Sequence, residues 1–205
     1  PGGFVVPAST GPEETVVNGM SPANRGSRWA NSGLVVELHP EDIPATGIKV
    51  EDPTSPLALM LWCEAFEHKS YLAANRSLRA PAQRMTDFVA RRHSSTLPSS
   101  SYTMGLTSSD LHEWMPDFIT RRLSAGFRAF DRTTRGFLTG EAQLIGVESR
   151  TSSPVRIPRD RITYAHPVVA GRYPAGEGAG FAGGIVSAAI DGENAAQQIA
   201  LALGR

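Results

Sequence analysis

The feature that most restricts what this chain can fold into is the run from Gly171 to Gly192, GRYPAGEGAGFAGGIVSAAIDG, which passes straight into an alanine-rich stretch. Gly178, Gly180 and Gly183 stand at G-x-G-x-x-G spacing, the fingerprint that joins a strand to a helix in dinucleotide-binding units. Gly183 to Leu203 reads as a helix with Ile185, Ala189, Ile199 and Leu203 on its apolar side, and Gly171–Ala175 reads as a short strand lead-in. A βαβ unit, however, needs about 30 residues and an acidic residue about 20 positions past the glycines. Only residues 184–205 follow Gly183, enough for one helix and no second strand. Asp191 comes too early to hold a ribose and falls inside the helix. The expectation is therefore a strand, a glycine turn and a helix that close a domain.

Two readings of the glycines stay open on spacing alone. Bare backbone lets a ligand approach closely, and unpaired N–H groups at a helix N-terminus favour negative charge. The same glycines also suit a tight turn that packs a helix against a sheet.

Elsewhere the chain alternates between extended and helical character. Phe4–Val6 and Thr15–Val17 are β-rich, and Asn18-Gly19 predicts a sharp reversal. Gly33–Leu38 predicts another strand. Pro56 to about Asn75 has helical periodicity, as does Ala82–Arg92, with Met85, Phe88 and Val89 on one face. Asp110 and its polar neighbours offer N-caps for a helix near Leu111, and Pro116 starts a segment carrying Phe118, Ile119 and Leu123. Residues 40–140 are expected to be mostly helical. Strand character returns at Leu144–Glu148 and Val155–Ile157. No internal repeat is present.

Composition removes several functions. Lys plus Arg and Asp plus Glu both number 20, for a formal charge of zero, which argues against a nucleic-acid surface. Cys63 is the single cysteine, so neither an intrachain disulfide nor a cysteine zinc site can form; the expected setting is cytoplasmic. The longest apolar stretch, Leu57–Cys63, is too short to span a bilayer. The five histidines share no i,i+3 or i,i+4 spacing, so no metal is expected. No G-x-S-x-G elbow accompanies Ser152 or Ser153, and no side chain is assigned a catalytic role. The chain opens on Pro1-Gly2-Gly3 and enters strand character at once, so a fragment of a longer protein is expected.

The segment Tyr173–Gly192 resembles the C-terminal FAD-binding segment of two-dinucleotide-fold flavoproteins. Four stretches together narrow this to a family of uncharacterised bacterial FAD-dependent dehydrogenases: that segment, Glu148–Ile157, the opening Pro1–Val6 with Val17–Ser21, and Ala80–Arg84. The resemblance implies an α/β fold, α+β in this fragment, made of two parts. Residues 1–145 would form a substrate-side domain, with strands in 1–40 and helices in 40–140. Residues 146–205 would complete an FAD-binding Rossmann-like domain whose ADP-binding half precedes residue 1. It implies an FAD-dependent oxidoreductase, with NAD(P)H as a possible reductant, a small-molecule substrate of unknown identity, and the missing N-terminal half as partner.

The resemblance also implies site residues. Gly176, Gly178, Gly180, Gly183, Gly184 and Ile185 would bring backbone to the N1/C2-carbonyl edge of the flavin, Glu177 would accept hydrogen bonds from ribityl hydroxyls, and Arg156 would face the flavin or an anionic substrate. Many related flavoproteins carry Asp where this chain has Glu177. Arg159 and Arg161 are expected in a solvated charged loop. Asn18, Met20, Ser21 and Arg25 are weighed as pocket residues against a surface loop. Alternatives are a non-catalytic module that keeps the fold, and a flavin-dependent RNA-modifying enzyme.

Overall fold

A computed structural model describes residues 2–8 and 10–204. The chain divides into two compact units. One comprises residues 1–54 and 61–149; the other comprises 55–60 and 150–205.

In the first unit, β1 (Phe4–Pro7) and β2 (Val17–Met20) form an antiparallel pair with Phe4 opposite Met20. Asn18 and Gly19 thus lie within β2, and the expected reversal does not occur there. The backbone reverses earlier, in the loop between the strands, where Glu14 accepts the Gly11 N–H and Glu13 adopts a positive φ. A second sheet has the order β4-β3-β5, with β3 (Ala80–Arg84) central, parallel to β4 (Leu106–Ser108) and antiparallel to β5 (Gln143–Ile145).

α-Helices follow and separate these strands along the chain. They are α1 (Ile43–Thr46), α2 (Ala58–Ala73), α3 (Met85–Ala90), α4 (Leu111–Trp114) and α5 (Asp117–Thr133), and the first residues of α2 belong to the other unit. The helix expected over Ala82–Arg92 is shorter, because Ala82–Arg84 belong to β3. That strand is buried from Ala80 to Gln83 on both faces, so it lacks the alternation that would have marked it. The region 40–140 carries five α-helices together with two short strands, β3 and β4.

Gly33–Leu38 forms no strand, although its pattern is that of one. Leu34, Val36 and Leu38 are half-buried while Val35 and Glu37 are exposed, but no described residue supplies a ladder. Leu34 joins the core built on Met85, Phe88, Leu111 and Phe127. Phe88 and Phe127 meet edge to face with ring centroids 6.1 Å apart. A second cluster gathers Val17, Ala80 and Tyr102, whose hydroxyl donates to the Leu78 carbonyl over 3.0 Å. Trp62 is buried in this unit and donates to Thr46 Oγ1 over 2.8 Å.

The second unit holds one long helix, α6 (Ile185–Ala202), preceded by turns. Neither Val155–Ile157 nor 171–175 forms a strand. Their backbone groups are used elsewhere: Ile157 N–H donates to the Ala179 carbonyl, and the Pro174 carbonyl accepts Arg159. Among the described residues no helix is long and apolar enough to cross a membrane.

Candidate functional site

The glycine segment folds into a turn closed by its own backbone. Phe181 N–H donates to the Gly176 carbonyl over 3.1 Å, and Gly180 N–H donates to the Glu177 carbonyl over 2.9 Å. Glu177 and Gly178 form its exposed apex.

The five glycines divide by what each would meet if it carried a Cβ. Gly176 and Gly180 have φ of +73° and +80°, a region costly for other residues. A Cβ at Gly180 would also lie 2.6 Å from the Val155 carbonyl oxygen and 3.0 Å from Arg156 Cα. These two glycines are demanded by the turn itself. Gly178 has nothing within 4 Å, Gly183 meets only Ser152 Oγ at 3.8 Å, and Gly184 only Ser187 Oγ at 3.6 Å. Their φ values are ones other residues adopt, so nothing within the chain requires glycine at these three positions.

Two of the three permissive glycines, Gly183 and Gly184, lead directly into α6, while Gly178 lies at the exposed apex of the turn. Gly184 is the N-cap of α6 in extended conformation, and its N–H donates to Ser187 Oγ over 3.1 Å. Gly184 lacks a side chain to cap the helix, so Ser187 serves that group from inside the first turn. The first intrahelical bond runs from Ala188 N–H to the Gly184 carbonyl, so the N–H groups of Ile185, Val186 and Ser187 precede it and have no intrahelical acceptor. Ile185 is 92% exposed and Val186 70%. The start of α6 is exposed, with bare backbone at Gly183 and Gly184 immediately before its donors.

Behind the turn lies an ion pair that sequence reasoning missed. Arg159 is not in a solvated loop. Its Nη2 donates to Asp191 Oδ1 over 2.6 Å, its Nη1 donates to Asp191 Oδ2 over 2.9 Å and to the Pro174 carbonyl over 2.8 Å, and its side chain is only 9% exposed. The guanidinium lies 3.6 Å from the Phe181 ring centroid and 4.0 Å from that of Tyr164. Asp191, 12% exposed at its side chain, also accepts the Gly176 N–H over 2.8 Å. The hydrogen bonds from Arg159 hold the Asp191 carboxyl below the usual carboxylate range, against the opposing effect of burial. A carboxylate at a helix position that ought to face solvent or core was the available signal: an Asp in an Ala-rich helix asks for a partner.

Arg156 is exposed. Its Nε donates to the Gly180 carbonyl over 2.9 Å, and its guanidinium lies 5.0 Å from the Phe181 ring centroid. It braces the same turn from outside. Arg161 is exposed. In the first unit, Asn18, Met20, Ser21 and Arg25 lie exposed, and none lines the cleft of about 430 Å³ formed by Leu34–Glu37 and the Phe118–Phe130 face of α5. Among the described residues, no group of three or more His, Cys, Asp or Glu could hold a metal.

Fold and turn together define a mixed α/β chain whose second unit offers a glycine-lined helix mouth held by a buried ion pair. The chain belongs to the family described as FAD-dependent protein, C-terminal domain-like, whose profile matches residues 1–151. It is also similar to an uncharacterised protein of Clostridium beijerinckii, 39% identical over 201 residues. That match takes in 97% of this chain but only 36% of the relative, so the chain spans about a third of the relative's length. The family profile stops before the glycine segment; the likeness to the relative runs through it.

Proposed function

We propose that this chain is the C-terminal portion of an FAD-dependent oxidoreductase, and that the mouth of α6 meets the pyrimidine edge of the flavin. The observation that carries this reading is the division among the glycines. Gly178, Gly183 and Gly184 have room for a side chain within the unit, and as glycines Gly183 and Gly184 leave bare backbone beside the N–H groups of Ile185, Val186 and Ser187, which have no acceptor within α6.

The donor set suits the ligand. The N1/C2-carbonyl edge of a flavin accepts hydrogen bonds and gains negative charge on reduction, and helix N-terminal amides stabilise such charge. Ile185, Val186 and Ser187 would supply the donors, and the exposed Glu177 carboxylate would accept from ribityl hydroxyls. FAD, when bound, supplies the electron-transfer chemistry. The chain's own part is to bind and orient it. The ADP half would be held by the rest of the full-length protein, with NAD(P)H as the proposed reductant and a small molecule as substrate. The family description, FAD-dependent, supports the cofactor.

The test is purification of the full-length protein. A yellow preparation that releases FAD on denaturation is expected, and Gly183→Val should lose most of that flavin while keeping its fold. A colourless wild-type protein that takes up no added FAD refutes the proposal.

A further inference from the structure

We infer that Arg159 and Asp191 are positioning residues for the flavin contact. They lock the Glu177–Gly178 apex and the amide-bearing mouth of α6 into one geometry. This rests on the flavin reading above and assigns roles to two residues outside the contact itself.

The argument is one of connectivity. Asp191 sits on α6, less than two turns beyond Ile185, and moves with the helix mouth. Through Oδ2 it grips the Gly176 N–H, the last backbone donor before Glu177. Its partner Arg159 grips the Pro174 carbonyl two residues earlier. One ion pair therefore ties the near end of the turn, on both sides of Ala175, to the helix. The far end is held by the same guanidinium, which lies against Phe181, while Phe181 N–H returns to the Gly176 carbonyl. The pair thus fixes the backbone on which Glu177 stands, at Pro174 and Gly176, against the helix that carries the amides.

Stability alone is a poor reason for such an arrangement. Taking two charges out of water costs several kcal/mol, and apolar replacements of buried ion pairs are often neutral or better. A planar fork that makes three hydrogen bonds and lies against two rings fixes geometry in a way that Leu or Lys cannot. A ligand contacted at two places, the ribityl chain and the pyrimidine edge, needs that fixed spacing.

The experiment uses the full-length protein with FAD as probe, comparing wild type with Arg159→Lys, Asp191→Asn and a control, Phe88→Leu, in the core of the first unit. FAD dissociation constants, flavin absorption spectra and midpoint potentials are measured well below each variant's melting temperature, with folding checked by circular dichroism. Asp191→Asn keeps an acceptor for Gly176 and so separates loss of the fork from collapse of the turn. Both site variants are expected to bind FAD roughly 10- to 100-fold more weakly, with a shifted flavin spectrum and potential. Phe88→Leu should lose stability but leave the flavin properties unchanged. If wild type binds FAD and both site variants match it in affinity, spectrum and potential, the assignment is overturned while the flavin reading stands. A wild-type protein that holds no flavin overturns both.

Discussion

Replacing Gly180 and Gly178 by alanine should have opposite effects, although the two sit two residues apart in the same motif. At Gly180 the φ of +80° places an alanine in a region costing about 1–2 kcal/mol. Its Cβ would also stand 2.6 Å from the Val155 carbonyl oxygen, a backbone atom that cannot swing away. Relief would require the 155–156 backbone to move, breaking the bonds from Ile157 N–H to Ala179 and from Arg156 Nε to Gly180. At about 1 kcal/mol for each bond, the total is roughly 3–4 kcal/mol. At Gly178 a Cβ meets nothing within 4 Å, and the unfolded chain loses conformational freedom, so alanine should be neutral or stabilising by about 0.4–1 kcal/mol.

The probe matters for this measurement. Trp29, Trp62 and Trp114 all belong to the first unit, so tryptophan fluorescence is blind to the turn. Urea unfolding followed by circular dichroism at the helix band, with amide exchange at Gly176–Phe181, reports α6 and its turn directly. Equal effects of the two substitutions, or a larger loss at Gly178, would refute the division of the glycines into those the turn demands and those it does not.

Four further outcomes follow from the structure. Asp191→Ala should cost about 3 kcal/mol, because it leaves a nearly buried guanidinium without its carboxylate. The carboxyl is depressed in the folded state, so the unfolded chain binds the extra proton. The pair's contribution is thus complete above the ordinary carboxylate range near pH 4 and fades as pH falls through the lower folded value; an acid titration of stability should show a limb that Asp191→Asn removes. Burial raises the Tyr102 phenol, so its stabilising effect holds below about pH 10 and is lost as pH climbs through the higher folded value; ultraviolet titration should show a late ionisation step that Tyr102→Phe abolishes. Phe127→Ala, emptying a site in the core beside Phe88, should lower stability by about 3–5 kcal/mol in the same urea assay.

Local chemistry made much of this protein legible from its residues. The helix after Gly184 is written in its alanines and spaced aliphatics, and α2 and α5 in theirs, because helical periodicity is a property of near neighbours. The exposed backbone at the start of α6 was also legible, since glycine leaves no side chain to cover it. What escaped was everything settled by distant partners. Ala80–Arg84 is a strand because β4 and β5 flank it, and burial on both faces erased its alternation. Gly33–Leu38 has the alternation but no ladder, and its Leu34 packs on the core of Met85, Phe88, Leu111 and Phe127 instead.

The glycines show the same boundary most sharply. Their spacing was plain, but only folding separates Gly180, pressed against Val155, from Gly178, which touches nothing. Arg159 looked like one more charge in a polar loop, and Asp191 like a misplaced ribose ligand. Thirty-two positions apart, they identify each other only when the chain brings them within 2.6 Å, because the energy of an ion pair depends on separation in space and on the exclusion of water, neither of which order along the chain records.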